Sequence, residues 1–358
     1  MKLAIIGAVP IAGLSAMLAR RRVHEVALWA PRGAPRLGTA QGGRLRFGCT
    51  GALAGETEVP LLAGPAALAD WPAWLLAIPA DAYVPVLAPL LPMLGAGRTV
   101  ICGGTLSLLP LWLAEQTGGT SDIIAWGTTL GTGRILPDGR LAVGTIRARF
   151  DQAALPAGRA DALLDLSTTL FGDRFAKAGS LLVPLLSNIN PVAHAGQVLP
   201  NLARIDRAEA WQLFANFTES GARIAEAIDA ERIAIAAAFG VAVRSLAMHY
   251  HLSYHVPFGP VAGIAAAIEA TGRGPPGPAR LAHRYLDEDV PFGLVVYETL
   301  GRLAAVPTPA TSAAVTLLSV ATARDFRALN PILDSLVPAG TTPAILLARC
   351  RGTAGAPA

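Results

Sequence analysis

Apolar positions are spaced in two different ways along this chain. In the first half they come as short unbroken runs that end at glycine or proline; beyond Phe171 they recur at helical spacing. Lys2–Ile6 is such a run, closed by Gly7, and it reads as a buried parallel strand. A glycine turn then leads into a helix expected over 14–21, and a second strand is expected over 23–29. Further strands are expected at 44–47, 74–78, Thr99–Cys102 and 123–126, and at 140–147 after the Pro137-Asp138-Gly139 turn. In the second half, 211–239 reads as a long helix with an interruption near Ser220-Gly221. The segment 272–278 reads as a Gly/Pro loop, and 312–323 and Pro331–Leu336 as closing helices. No internal repeat is present. The pattern implies an α/β domain over 1–175 and an all-helical domain over 176–358.

The strand, glycine turn, helix and strand at the start form the opening βαβ unit of a dinucleotide-binding (Rossmann) fold. In that unit backbone N–H groups and the helix N-terminus face a pyrophosphate. The turn here is Gly7, Ala8, Val9, Pro10, Ile11 and Ala12. Val9 stands where a second glycine is usual, and its Cβ limits how closely phosphate can approach; Ala12 fills the third glycine position. Pro79, at the end of the 74–78 strand, is expected to line the same crevice. Cofactor choice is read about 20 residues after the turn, where a carboxylate binds the ribose hydroxyls of NAD. This chain has Ala30-Pro31-Arg32 there. No carboxylate is present, and the planar fork of Arg32 suits a 2′-phosphate. NADP is therefore expected, with NAD still open.

Composition narrows the partners. The 358 residues carry a net charge of +4, and all but Lys2 and Lys177 of the 29 basic residues are arginine. The densest basic run is Arg20-Arg21-Arg22. That favours small anionic ligands over nucleic acid, which calls for a basic stripe or patch. Mean hydropathy is high at +0.47, much of it from alanine. The most apolar long segment, 73–97, contains Asp81 and four prolines, so no membrane span is expected. The apolar N-terminal run is broken by Pro10 and two glycines and followed by three arginines, which argues against a secretory leader. Cys49, Cys102 and Cys350 are odd in number and without metal-ligand spacing. A reducing cytoplasm is the expected compartment, and a homodimer is the assembly left open.

The candidate chemistry centres on His194, one of six histidines. It lies among the polar, turn-forming residues Ser187-Asn-Ile-Asn-Pro191, which open a helix. Asn190 precedes it by four residues, so on a helix the two share a face. Pro191 fits a first helical position. A histidine so placed suits acid/base chemistry near neutral pH. A carboxylate on its far ring nitrogen would fix the tautomer, and Asp289 is a candidate, with Asp287 and Glu288 competing. Pro291 biases Val290 toward an extended backbone, which would leave Asp289 at a helix-to-loop junction. Arg134, at the end of the 127–134 loop, is a candidate substrate-binding residue; Arg223 and Arg284 are further candidate carboxylate clamps. His249, His251 and His255 are expected to line a pocket rather than hold a metal, and no metal site is expected.

Three stretches carry a family resemblance: Asn188-Ile-Asn-Pro-Val-Ala-His194 with Leu202-Ala-Arg-Ile-Asp206, Tyr285-Leu-Asp-Glu-Asp-Val-Pro-Phe-Gly293, and Val306-Pro-Thr-Pro309. Between them, Ala227-Ile-Asp-Ala-Glu-Arg-Ile233 fits the family's long helix. The chain resembles the octopine/nopaline (opine) dehydrogenases. The resemblance implies a Rossmann domain followed by an all-α domain, the 6-phosphogluconate-dehydrogenase-like plan. It also implies reductive condensation of a 2-oxo acid with an amino acid or amine, using a nicotinamide cofactor. By the same resemblance His194 is the catalytic histidine, Asp289 its carboxylate partner and Asn190 a substrate contact. Two departures stand out: Ala195-Gly196 follow the histidine where the family has prolines, and Val9 replaces a glycine. A ketopantoate-type reductase using Lys177, and an NADP-binding protein without turnover, are the alternatives.

Overall fold

The computed structural model describes residues 1–33, 36–272 and 274–353. It divides into two units, Met1–Leu185 with the C-terminal residues from Ala348, and Leu186–Leu347. The first unit thus runs past the composition shift near Phe171. The last strand of its main sheet lies at 175–177, and the chain returns to it at the end, where Leu181 N–H donates to the Cys350 carbonyl at 2.9 Å.

Among its described residues this unit has twelve strands: β1 (Lys2–Ile6), β2 (Glu25–Trp29), β3 (Thr39–Gln41), β4 (Arg44–Gly51), β5 (Gly55–Pro60), β6 (Ala73–Leu76), β7 (Thr99–Cys102), β8 (Asp122–Trp126), β9 (Gly131–Ile135), β10 (Leu141–Ile146), β11 (Phe150–Leu155) and β12 (Phe175–Lys177). Seven form one sheet in the order β12-β11-β8-β7-β6-β1-β2. The run from β8 to β2 is parallel, whereas β11 is antiparallel to β8. The central strands are buried at nearly every position, which is why their sequences read as unbroken apolar runs. Strand order reverses at β1, which lies between β2 and β6. That reversal opens a crevice at the carboxyl ends of these strands.

The other five strands form a second sheet, β3-β4-β10-β9, with β5 on β4. Strands β3, β5 and β9 were not expected. They are short or glycine-rich and largely unburied, so no apolar pattern marks them. The residues expected as a loop before Arg134 are partly strand, with Arg134 opposite Ala142.

Helix α1 runs over Pro10–Arg21, four residues earlier than expected. Val9 is extended at φ −73° and ψ 167°, and Pro10 supplies a preset φ at the first turn. Strand β2 starts later than expected because Val23, at φ 64° and 89% exposed, forms a left-handed turn. Gly7 takes φ +123°, and a Cβ there would collide with the Ala77 carbonyl oxygen, so only glycine lets β1 end this close to β6.

The second unit is helical. Of the 211–239 helix expected, only Glu219–Ala238 forms. Trp211 lies in an irregular segment, its indole N–H donating to the Pro278 carbonyl at 3.0 Å. No break occurs at Ser220-Gly221. Gly221 is inside the helix and meets Gly196 of the Asn190–Val198 helix, backbone against backbone.

The Glu219–Ala238 helix ties three others down by their N-termini, where N–H groups are left without intrahelical partners. A Glu226 carboxylate oxygen accepts the Val261 N–H at 2.9 Å, at the start of the Val261–Ala270 helix. Asp229 accepts the Leu246 N–H at 2.7 Å, at the start of Leu246–Tyr254. Glu231 accepts the N–H groups of Ala310 and Thr311 at 2.7 and 2.9 Å, in the first turn of Pro309–Thr322. Each carboxylate meets the positive end of a helix dipole. Asp229 also pairs with the fully buried Arg232 at 2.6 Å, and the guanidinium donates to the carbonyls of Leu186 and Arg244. The acids and arginine of this conspicuous sequence are therefore structural.

Candidate active site

In the first unit, a groove of about 330 Å³ opens at the switch point between β1 and β6. Gly7, Ala8, Val9 and Pro10 line it after β1, Arg32 after β2, and Pro79 after β6. Ile11 is not among the lining residues, and Ala12 is fully buried in the core, the role expected of the third glycine position. The shape and the glycine cradle fit a dinucleotide. Arg36 also lines the groove and was missed, because it falls four residues past Arg32, where the ribose 2′ position is usually read. Arg32 is exposed and pairs loosely with Asp81 at 3.7 Å.

In the second unit, His194 is buried in the middle of the Asn190–Val198 helix. Its Nδ1–H donates to Asp289 Oδ2 at 2.6 Å, and Asp289 is 1% exposed. Asp289 follows the one-turn helix Arg284–Asp287 and precedes a π-helical turn over Val290–Leu294. The extended Val290 expected from Pro291 does not occur. The wider turn takes Pro291 without needing its missing N–H, and the Leu294 N–H reaches back to the Asp289 carbonyl at 2.9 Å. Of the competing acids, Asp287 is engaged by Arg324 instead.

Asn190 opens the same helix one turn before His194, its N–H held by Asn188 Oδ1 at 3.1 Å. The Asn188 carbonyl in turn accepts the Tyr297 hydroxyl at 2.8 Å, fixing the entry to the helix. Two residues beside the dyad were missed. Tyr285 stacks on the His194 ring, with centroids 3.5 Å apart and planes within 19°. His283 meets the Tyr285 ring edge-on at 4.4 Å, and its Nδ1 accepts the Tyr285 N–H. Tyr285 stood in a quoted motif, yet no spacing rule pairs it with a residue so distant in sequence.

Burial pushes the His194 imidazole below its ordinary pKa; Asp289 raises it in opposition, while Arg284 lowers it further. His283 is pushed down to about 4, first by burial and then by the Arg284 charge. Neutral His194 therefore carries its proton on Nδ1, toward Asp289, and leaves Nε2 to take or give one.

The arginines divide. Arg284 is exposed, its guanidinium 5.3 Å from the Tyr285 ring centroid. Arg134 is exposed on β9 and makes no side-chain hydrogen bond among the described residues. Arg223 pairs with Glu219 at 3.4 Å within its own helix. Lys177 pairs with Asp161 at 2.6 Å on the surface, which leaves it ill suited to the reductase role. The Nδ1–H of His251 donates to the Val256 carbonyl at 2.6 Å, and His255 ends the helix at φ 56°. Among the described residues no group of three or more His, Cys, Asp or Glu is placed to hold a metal.

The family model described as the NAD/NADP octopine/nopaline dehydrogenase alpha-helical domain matches residues 177–322. An opine dehydrogenase from Arthrobacter sp. (strain 1C) is 32% identical over 302 residues, covering 82% of this chain and 83% of that protein. Among solved structures, octopine dehydrogenase with NADH and L-arginine aligns over 99% of both chains at a TM-score of 0.73 and 17% identity. Yersinopine dehydrogenase with NADP+ bound aligns over 98% of this chain and 99% of its own, at 0.70 and 15%. The two-domain plan expected from the sequence is thus that of these enzymes. The chain belongs to the opine dehydrogenases, NAD(P)-dependent oxidoreductases that act on CH–NH groups by reductive condensation of a 2-oxo acid with an amine.

Proposed function

We propose that His194 is the acid/base of this reaction, that Asp289 holds it, and that the enzyme prefers NADPH. The observation that carries the reading is the buried 2.6 Å hydrogen bond from His194 Nδ1 to Asp289. Attack of a neutral amine on the keto carbon gives a carbinolamine. Loss of its hydroxyl as water requires a proton, which protonated His194 donates from Nε2. Asp289 stabilises the imidazolium while it waits and keeps the ring in one tautomer. The Gly7–Pro10 turn would hold the pyrophosphate of a bound nicotinamide cofactor, which would supply the hydride that reduces the imine to a secondary amine. Asn190, on the same helix face, is placed to hydrogen-bond the substrate.

The substrates are read as a 2-oxo acid and an amino acid or amine. The octopine dehydrogenase relative binds L-arginine, which fits an amino acid as the amine partner. Arg284 is the better placed clamp for the keto acid carboxylate, being exposed and next to Tyr285; Arg134 is a second. The three cysteines are all buried thiols, which suits a reducing cytoplasm. Among the described residues no helix is long and apolar enough to cross a membrane.

His194→Ala should lower turnover by roughly 10²–10⁴-fold while NADPH binding is unchanged, because the cofactor groove is built from the other unit. The measurement is NADPH oxidation across paired keto acids and amines, alongside fluorescence titration of the cofactor. Near-normal turnover in the variant would refute the assignment. Full oxidation with keto acid alone, unaffected by any amine, would point to a plain 2-oxo acid reductase.

A further inference from the structure

The His194–Asp289 pair has a third member that the reaction scheme leaves unused. The Tyr285 ring lies face to face with the His194 imidazole, 3.5 Å between centroids and 19° between planes. His283 and Arg284 hold that ring, and the phenol oxygen also accepts a hydrogen bond from the Arg284 guanidinium. His283 packs against it edge-on at 4.4 Å, and the Arg284 guanidinium lies 5.3 Å from its centroid. Its own N–H is pinned to His283 Nδ1 at 3.3 Å, which fixes the turn that carries both Tyr285 and Asp289. Tyr285 is 8% exposed and His194 7%, so the stack is shielded from water.

From this geometry we infer that Tyr285 is a positioning residue for the acid/base step. Its ring face keeps the imidazole in the plane that points Nδ1 at Asp289, and it stabilises the imidazolium over the neutral ring. The physical reason is the ring quadrupole. A π face is negative and attracts a cation, and the attraction grows where water is excluded. Neutral imidazole gains only dispersion from the same contact. The stack therefore acts with Asp289 against the burial that disfavours the charged form. Arg284 acts the other way, both through its own charge and by competing for the same ring.

Among the described residues the charged and titratable groups that act on His194 are Asp289, Arg284 and His283, while Asp287 is engaged by Arg324. The Glu219–Ala238 helix brings Gly221 and Ala225 against the Asn190–Val198 helix, with its Asp229–Arg232 pair mutually neutralised. Tyr297 has its hydroxyl committed to Asn188. None of these duplicates the Tyr285 ring.

The inference rests on His194 as the acid/base, so it is tested by readouts that do not all depend on turnover. In wild type, NMR of the histidine ring protons should show a His194 signal shifted upfield by the Tyr285 ring current, assigned by its loss in His194→Ala. Tyr285→Leu should abolish the upfield shift and lower the His194 pKa by about 0.5–1 unit. In the reductive direction, which needs the imidazolium, the high-pH limb of the rate profile should move down by the same amount. Tyr285→Phe keeps the face and loses the hydroxyl with its hydrogen bond to Arg284, so it should retain the upfield shift and a His194 pKa above that of Tyr285→Leu. A wild-type His194 without an upfield shift would overturn the stack with no variant needed. A Tyr285→Leu protein with an unchanged His194 pKa, or a Tyr285→Phe protein that behaves like Leu, would overturn the role of the ring. Absence of opine turnover alongside a moved pKa would instead count against the reaction and leave the stack standing.

Discussion

Burial works against a charged imidazole at position 194, and Asp289 works for it. The balance decides how the site titrates. A desolvated histidine with no partner holds its proton weakly near neutral pH and is a poor general acid. The carboxylate offsets that cost, and its Oδ1 makes no hydrogen bond among the described residues, so its charge is directed at the imidazole. Asp289→Asn keeps a hydrogen-bonding oxygen for Nδ1–H but removes the charge. The His194 pKa should then fall. Because condensation needs the protonated form, the reductive rate should drop, and its high-pH limb should shift toward lower pH. A loss of roughly 10²–10⁴-fold at neutral pH matches what an acid/base group contributes. A pH profile of kcat measures both effects. An unshifted limb would mean that the carboxylate only orients the ring.

At the scale of elements, the helix that carries His194 is set by a close crossing. Gly196 and Gly221 meet backbone to backbone, and a Cβ on Gly196 would collide with the Gly221 carbonyl oxygen and lie 2.8 Å from the Ala225 Cβ. Gly196, one of the two departures from the family's prolines, thus has a packing reason. Gly196→Ala brings two opposing effects. Helix propensity favours alanine by about 1 kcal/mol, whereas forcing a methyl into a filled contact typically costs ~1–3 kcal/mol. Here the obstacle is backbone and cannot rotate away, so the clash wins. Gly196→Ala should lower the midpoint of urea unfolding and, by moving a helix whose His194 is two residues away, reduce turnover. A variant as stable and active as wild type would show that the crossing has room to spare. The sequence suggested the opposite for Gly221, because an isolated glycine reads as a helix break. Only the partner helix explains it, and partners are not legible in a local window.

Across the whole molecule, what could be read depended on how local its cause was. The buried strands β1, β6, β7 and β8 were legible because each is an apolar run closed by a breaker. In the small sheet β4 and β10 were legible but β3, β5 and β9 were not, since these bury little and are stabilised by pairing; β11 and β12 of the main sheet were missed as well. His194 and Asp289 were found through motifs, but Tyr285 and His283 owe their place to tertiary stacking. The cofactor site shows both sides of this. Arg32 was legible from its distance after the glycine turn, whereas Arg36 lines the same groove at a spacing that no rule singles out. This pairing carries the cofactor prediction. Arg32 has only a loose, exposed partner in Asp81 at 3.7 Å, and such pairs are worth ~0–1 kcal/mol, so releasing the guanidinium to a 2′-phosphate costs little. A hydrogen bond to a charged group contributes ~1.5–3 kcal/mol, which is roughly a 10- to 100-fold change in affinity. Arg32→Ala should raise the NADPH dissociation constant by about that factor and leave NADH nearly unchanged, and Arg36→Ala should act in the same direction. Added salt should weaken NADPH more than NADH, since the extra interaction is between exposed charges. Equal losses for both cofactors in fluorescence titrations would show that neither arginine reads the 2′-phosphate.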